Sequence, residues 1–305
     1  MANMPNLISK TKIQKTLILG VYMRIWKEKV LKSYFQKLQS NRFYRKFYPE
    51  IKKAGGLPNA LNLEFEKINS TCRAAIDDSS GRLPVIYARV QSDNKFSQIY
   101  IAAEKKLYLS DFWRDGVCLA QANIGNITDL AKTIDYWLKE NVSTQEFSLK
   151  YPFVEPNEKA KAFDNHNEVE YAWNCLLGDG KSPLAEFIQL ASNDEILGKL
   201  FPFTSLYTLC FSRCTGFPFD SEELPNITPI AYIHWVLPKD TVEYASVKHY
   251  ADTHGKAKIF VVTKNKNQYL GEGTAREALS IARNNLAANT GPAIKGIKAE
   301  INRQL

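Results

Sequence analysis

The sequence predicts an α+β protein, with antiparallel or mixed sheets, helices packed against them, and a basic helical arm at the N-terminus. Three observations predict it. Short β-like runs come in two groups, and each group is followed by an amphipathic helix. The chain is 45% apolar and 24% charged over 305 residues, enough to build a sizeable core. Its charge is also lopsided. Residues 1–60 hold 13 Lys or Arg against 2 Glu, a net of +11, so the net of +8 for the whole chain leaves −3 for the rest.

Taken in order, residues 11–48 read as one or two helices, and residues 1–55 as a basic arm. Leu17, Val21 and Ile25 recur at i+4 spacing. Further on, Lys27, Lys29, Lys32, Lys37, Arg42, Arg45 and Lys46 are interleaved with Val30, Leu31, Tyr34, Phe35, Phe43, Tyr44, Phe47 and Tyr48. Basic and aromatic side chains in that mixture suit nucleic-acid phosphates with stacking, an anionic membrane surface, or an acidic peptide. They equally suit a helix packed on its own domain, with lysine stems covering apolar surface.

Ala54-Gly55-Gly56-Leu57-Pro58 reads as a linker, and residues 61–80 as a helix running to Asp77-Asp78. Strands are expected at Val85–Val90, Ser97–Ala103, Leu107–Trp113 and Val117–Ala122. Arg114-Asp115-Gly116 is a tight-turn sequence, since Asp-Gly tolerates positive φ. Ile127, Leu130, Ile134, Trp137 and Leu138 share one helical face and close a meander subdomain over 56–142.

A larger α+β domain is expected over 143–305. Residues 143–167 read as irregular. Two helices follow, one with Val169, Trp173, Leu176 and Leu177 on a face, the other with Leu184, Phe187, Ile188 and Ala191. Pro202 is expected to end a helix, and Leu206–Arg213 to form an internal strand with Tyr207 and Arg213 on the same face. Ile230–Leu237, Val242–Val247 and Ile259–Thr263 also read as strands, with a short one at Gln268–Leu270. Thr274 with Glu277 fits a capping box that opens the last helix.

Several classes of function find no support. No run of about 18 uncharged apolar residues exists, so no transmembrane helix is expected. Leu17–Met23 is too short and too charged around its edges to read as a signal peptide. Five cysteines, Cys72, Cys118, Cys175, Cys210 and Cys214, suggest reduced thiols, with the cytoplasm as the expected compartment. Cys210 and Cys214 are four apart, about 13 Å along a strand, so no metal site is expected. Ser205 and Ser212 lack a nucleophile-elbow context, and Glu168 with Glu170 point to different sides of a helix. Gly271-Glu272-Gly273-Thr274 lacks the lysine and glycine spacing of a phosphate loop. No cofactor is expected, and whether the chain is an enzyme stays open.

Short segments in order carry a resemblance: Phe112-Trp113-Arg114-Asp115-Gly116-Val117, Trp137-Leu138, Tyr151-Pro152-Phe153-Val154, Glu170-Tyr171-Ala172-Trp173, Leu200-Phe201-Pro202-Phe203-Thr204-Ser205 with Phe211-Ser212, Glu277-Ala278, and Gly291-Pro292-Ala293-Ile294-Lys295-Gly296. Over about residues 97–297 the chain is similar to an uncharacterised family described as natural product biosynthesis proteins. The resemblance implies an accessory or recognition protein that binds a peptide or a carrier-bound intermediate. The alternatives are a pathway enzyme modifying a peptide, and a nucleic-acid or anionic-membrane binder working through residues 1–55. The arm lies outside the matching segments.

A ligand surface would draw on Arg213 and Tyr207, on Trp113 and Arg114, and on Trp173. An arginine ending an apolar strand face is costly to bury alone, so Arg213 either pairs with Glu170 or Asp220 or meets an anionic ligand. Trp113-Arg114 sits either on a binding rim or folded into a hairpin. A polyanion surface would draw on Lys27, Lys29, Lys32, Lys37, Arg42, Arg45 and Lys46.

Overall fold

The structure is a computed structural model that describes residues 47–75, 86–254, 258–265, 268–299 and 301. Most of the arm, with all seven of its candidate polyanion-binding residues from Lys27 to Lys46, lies outside the described residues, as does Val85. The described chain divides into two compact units, 47–168 and 169–301. Helices and two antiparallel sheets make it α+β. No helix among the described residues is long and apolar enough to cross a membrane.

The first unit opens with α1 (Pro49–Ala54) and α2 (Leu57–Lys67). Residues 54–58 are therefore not a linker but a helix–helix corner. Gly55 caps α1 at φ 79°, and Leu57 and Pro58 start α2 as buried residues. The helix expected over 61–80 ends at Lys67, because the chain turns at Asn69 (φ 54°) and then pairs as β1 (Ala74–Ala75). The meander follows as β2 (Tyr87–Ser92), β3 (Lys95–Ile101), β4 (Tyr108–Arg114) and β5 (Val117–Ile124). Asp115 (φ 54°) and Gly116 (φ 74°) make the turn between the last two strands.

Helix α3 (Ile127–Lys139) lays Ile127, Leu130, Ile134, Trp137 and Leu138 on the sheet, all buried. The stretch expected to be irregular is ordered as α4 (Thr144–Lys150), β6 (Val154–Pro156) and α5 (Ala160–Asp164). Ser143 and Glu146 form a capping box for α4. β6 pairs with β5, so the sheet order is β1-β2-β3-β4-β5-β6. That pairing carries the unit to 168, past the boundary at 142 that the amphipathic helix suggested.

The second unit holds α6 (Glu168–Leu177), which starts at the boundary, then α7 (Ala185–Ala191) and a 3-10 turn (Leu197–Lys199). Its sheet is ordered β11-β10-β9-β8-β7, from β7 (Phe201–Ser205), β8 (Thr208–Ser212), β9 (Asn226–Pro229), β10 (Phe260–Lys264) and β11 (Gln268–Gly273). Pro202 does not end a helix. It lies in β7, opposite Phe211, and the sheet tolerates it because β7 is an edge strand. β8 is internal and buried along its whole length.

Two expected strands are helical. Ile230–Trp235 is a 3-10 helix that follows Pro229, and Val242–Thr253 is α8. Thr241 caps α8, its hydroxyl accepting from the Tyr244 N–H at 3.2 Å. Aromatic and β-branched content suggested strands here, but the cap and the cluster of Ile233, Val236, Leu237, Val247 and Val261 decide the outcome. Helix α9 (Ala275–Asn284) buries Ala275, Ala278 and Ala282 in the main core, with Trp173, Phe187, Phe211 and Phe260.

Candidate functional site, an aromatic platform on the second unit

The β7–β8 hairpin closes on two residues, Leu206 and Tyr207, with φ 48° and 69°. Both φ values are positive, the geometry that Asn-Gly or Asp-Gly fills without strain. In Leu and Tyr it costs roughly 1–2 kcal/mol per residue, because Cβ crowds the following carbonyl. The strain projects two large side chains outward, Leu206 at 40% exposure and Tyr207 at 49%.

Tyr207 lies flat on Tyr232, with ring centroids 4.0 Å apart and planes 7° from parallel. Tyr232 belongs to the 3-10 helix, where residues three apart eclipse, so Trp235 falls on the same side. Trp235 is 53% exposed. The helix is held from beneath by buried Ile233 and by the Ile230 N–H, which donates to the Ile259 carbonyl at 2.9 Å. Tyr207 and Tyr232 thus form a stacked pair of rings on a firm base, and with Trp235 exposed on the same side of the 3-10 helix they make up the platform.

His234, exposed, leans on Trp235 with centroids 5.0 Å apart and also lines a shallow cleft of about 380 Å³. Ile230, Tyr244, Lys248 and Asp252 complete the cleft, with Lys248 and Asp252 4.0 Å apart one helical turn away from each other. The arrangement can stack a planar or apolar group and offer both signs of charge beside it. Sequence reasoning picked out Tyr207 but missed Tyr232, His234, Trp235, Tyr244, Lys248 and Asp252. The signals that could have found them are Pro229, which starts the 3-10 helix, and the Thr241 cap of α8.

The other expected ligand residues are engaged elsewhere. Arg213 donates from Nε to Asp220 Oδ2 at 2.5 Å, and Lys298 Nζ approaches Asp220 Oδ1 at 3.9 Å. Hydrogen bonds from Thr215 to Ile294 and from Gly216 to Gly296 tie the same turn to the C-terminal segment. Arg213 is therefore part of a structural knot. Trp173 is core, against Phe211 at 6.1 Å.

Arg114, in the first unit, is buried and donates to Asp164 Oδ1 at 2.5 Å and to the Val142 carbonyl at 3.2 Å. Trp113 stacks on Phe96 at 5.2 Å on the sheet face away from the helices. Within the second unit, the structure thus leaves Tyr207 at the platform and brings neither Arg213 nor Trp173 to it.

The remaining chemistry is quiet. Burial pushes the Cys210 thiol up to about 12, and burial raises Cys214 despite the Ser212 hydroxyl beside it, so both stay protonated at neutral pH. No group of three or more His, Cys, Asp or Glu among the described residues stands close enough to hold a metal. Glu277 fills the N-terminus of α9 itself, its Oε2 accepting from the Thr274 N–H and hydroxyl at 2.8 Å each. Gly273 permits that return, since a Cβ there would lie 2.6 Å from Glu277 Cβ. Glu168 is buried and Glu170 is exposed, so the two carboxylates do not face a common site.

Fold and site together define an α+β protein with a stacking surface. Residues 167–236, less than a quarter of the chain, match a family described as a family of unknown function, DUF6193, and that span includes Tyr207, Tyr232 and Trp235. No curated protein and no solved structure matched the chain.

Proposed function

We propose that this chain is a recognition protein that binds a peptide, free or carrier-bound, as an accessory to a natural-product pathway. The observation that carries the reading is the strained Leu206–Tyr207 tip, which holds Tyr207 against Tyr232 in solvent instead of burying it. Strain kept at an exposed position points to a use for the side chains it displays. Tyr and Trp platforms gain contact area at low entropic cost, and peptide side chains supply the matching apolar groups. Lys248 and Asp252 then meet the charges of the peptide at the rim of the cleft.

The test is ligand capture by the full chain. Protein purified from its native cell extract is analysed by mass spectrometry for bound peptide, nucleic acid and lipid, alongside Tyr207→Ala and Trp235→Ala variants. Peptide retained by the wild type and reduced at least tenfold in both variants supports the reading. Peptide retained equally by all three refutes the platform. Nucleic acid or lipid in place of peptide transfers the function to the basic arm.

A further inference from the structure

The two edges of the second sheet are finished differently. β11 meets β10 with a register shift and carries Gly271, Glu272 and Gly273, a break and a charge that discourage a further strand. β7, Phe201-Pro202-Phe203-Thr204-Ser205, pairs with β8 in unbroken register and holds no charge. Its other side has no strand beside it among the described residues.

Pro202 fixes which backbone groups that open side presents. Antiparallel partners alternate between pairs that exchange both hydrogen bonds and pairs that exchange none. Pro202 has no N–H, so Pro202↔Phe211 is a pair of the second kind, and so is Thr204↔Leu209 two residues on. The two-residue turn agrees, because it closes on Ser205↔Thr208 as a hydrogen-bonded pair. The N–H and C=O of Thr204 and the C=O of Pro202 therefore point away from β8. None of the three has a hydrogen-bond partner among the described residues.

Rings line one flank of this edge. Phe203 stacks on Phe219 with centroids 4.3 Å apart, and Phe217, 44% exposed, stands edge-on to Phe219 at 5.9 Å. At one end the strand runs into the Leu206–Tyr207 tip of the platform. At the other, Lys199 precedes it by two residues, exposed and in no ion pair among the described residues.

We infer that the peptide binds as an added strand, extended and antiparallel along the open edge of β7. The inference rests on the peptide-recognition reading above and adds how the peptide lies and what it carries. Antiparallel addition continues the pattern of the sheet and lets one peptide residue exchange both bonds with Thr204, with a third bond to the Pro202 carbonyl. Five strand residues span about 17 Å, so a peptide of about seven residues reaches from Tyr207 to Lys199. Its alternate side chains, opposite Phe201, Phe203 and Ser205, fall on the ring flank and are apolar. An aromatic residue at its N-terminal end meets Tyr207, and a carboxylate at its C-terminal end meets Lys199. A second copy of β7 fits this edge less well, because its own Pro202 brings no N–H to the ladder.

The test is calorimetric titration of the full chain with acetyl-Tyr-Val-Thr-Val-Thr-Val-Glu, its C-terminal carboxylate free. Thr204→Pro removes the edge N–H and leaves the β7–β8 ladder whole, as Pro202 does two residues earlier. The variant is expected to bind at least tenfold more weakly with an unchanged urea midpoint. On the wild type, methylating the backbone nitrogen of the peptide's third residue, opposite Thr204, should weaken binding at least tenfold. Methylating that of the fourth, which faces away from β7, should weaken it less than about threefold. Should Thr204→Pro lower the urea midpoint, the methylated pair decides. No binding of the unmodified peptide at about 1 mM, equal binding by a stably folded Thr204→Pro, or equal losses from the two methylations overturns the inference. Tyr207→Ala separates this claim from the platform. Binding lost there but kept in Thr204→Pro leaves the platform standing and refutes the added strand. Binding lost in Thr204→Pro but kept in Tyr207→Ala supports the added strand and removes Tyr207 from the site.

Discussion

Two hairpins of this protein turn through the same backbone geometry with opposite sequence logic. In the first unit, Asp115-Gly116 takes positive φ at both positions with residues suited to it. In the second, Leu206-Tyr207 takes positive φ at both positions with residues that resist it. The first hairpin is anchored inward: Arg114, one residue before the turn, is buried against Asp164, whose other oxygen accepts from the Thr144 N–H at 2.8 Å. The second is displayed outward, with Tyr207 stacked on Tyr232 in solvent. One turn is built for stability, and the other holds strain where the side chains can meet a ligand.

The largest effect is expected on the inward side. Arg114→Ala leaves the Asp164 carboxylate buried without its cation and is expected to cost about 3–5 kcal/mol, read as a lower urea midpoint. A loss under about 1 kcal/mol would mean that the first hairpin is not anchored in this way. Next, Gly116→Ala forces a Cβ into the left-handed region and is expected to cost about 1–2 kcal/mol. Tyr207→Gly should move stability the opposite way by a similar amount, less the lost ring contact of roughly 0.5–1.5 kcal/mol. Opposite signs at matched positions sharpen the comparison, and equal signs break it.

A smaller effect probes how α1 is held to the first sheet. Burial alone would raise Glu50, but Lys106 at 2.7 Å and the Tyr108 hydroxyl at 2.5 Å outweigh it and hold the carboxyl below its ordinary range. A group depressed on folding stabilises the fold above its unfolded pKa, and that stability is lost as pH falls through the lower folded value. Because Lys106 is partly exposed, Glu50→Gln is expected to cost about 1 kcal/mol or less at pH 7. The gap from wild type should close as pH drops below about 4, and a gap that widens there would contradict the assignment.

The two hairpins also explain what the sequence revealed and what it hid. Asp-Gly announces its turn, so the four strands of the meander and the helix after them were legible. Leu-Tyr carries strand propensity, so the turn between β7 and β8 was read as part of one strand starting at Leu206. The same bias turned Ile230–Leu237 and Val242–Val247 into expected strands, although Pro229 and the Thr241 cap favour helices. Four of the six platform and cleft residues that the reading missed, Tyr232, His234, Trp235 and Tyr244, lie in those two misread stretches, and Lys248 and Asp252 follow in α8. Of the candidate site, Tyr207 alone was in view. Arg213 was read correctly as a residue needing a partner, and Asp220 is that partner.

The most direct test of the strained tip is one variant measured twice. Leu206→Asn with Tyr207→Gly installs the residues that this turn geometry prefers. Urea unfolding gives its stability, and mass spectrometry gives the peptide it retains on purification from native extract. The account predicts a protein about 1 kcal/mol more stable that has lost at least nine-tenths of its bound peptide. A variant that is less stable would show that the tip is not strained, and one that keeps its peptide would show that the tip is not the binding surface.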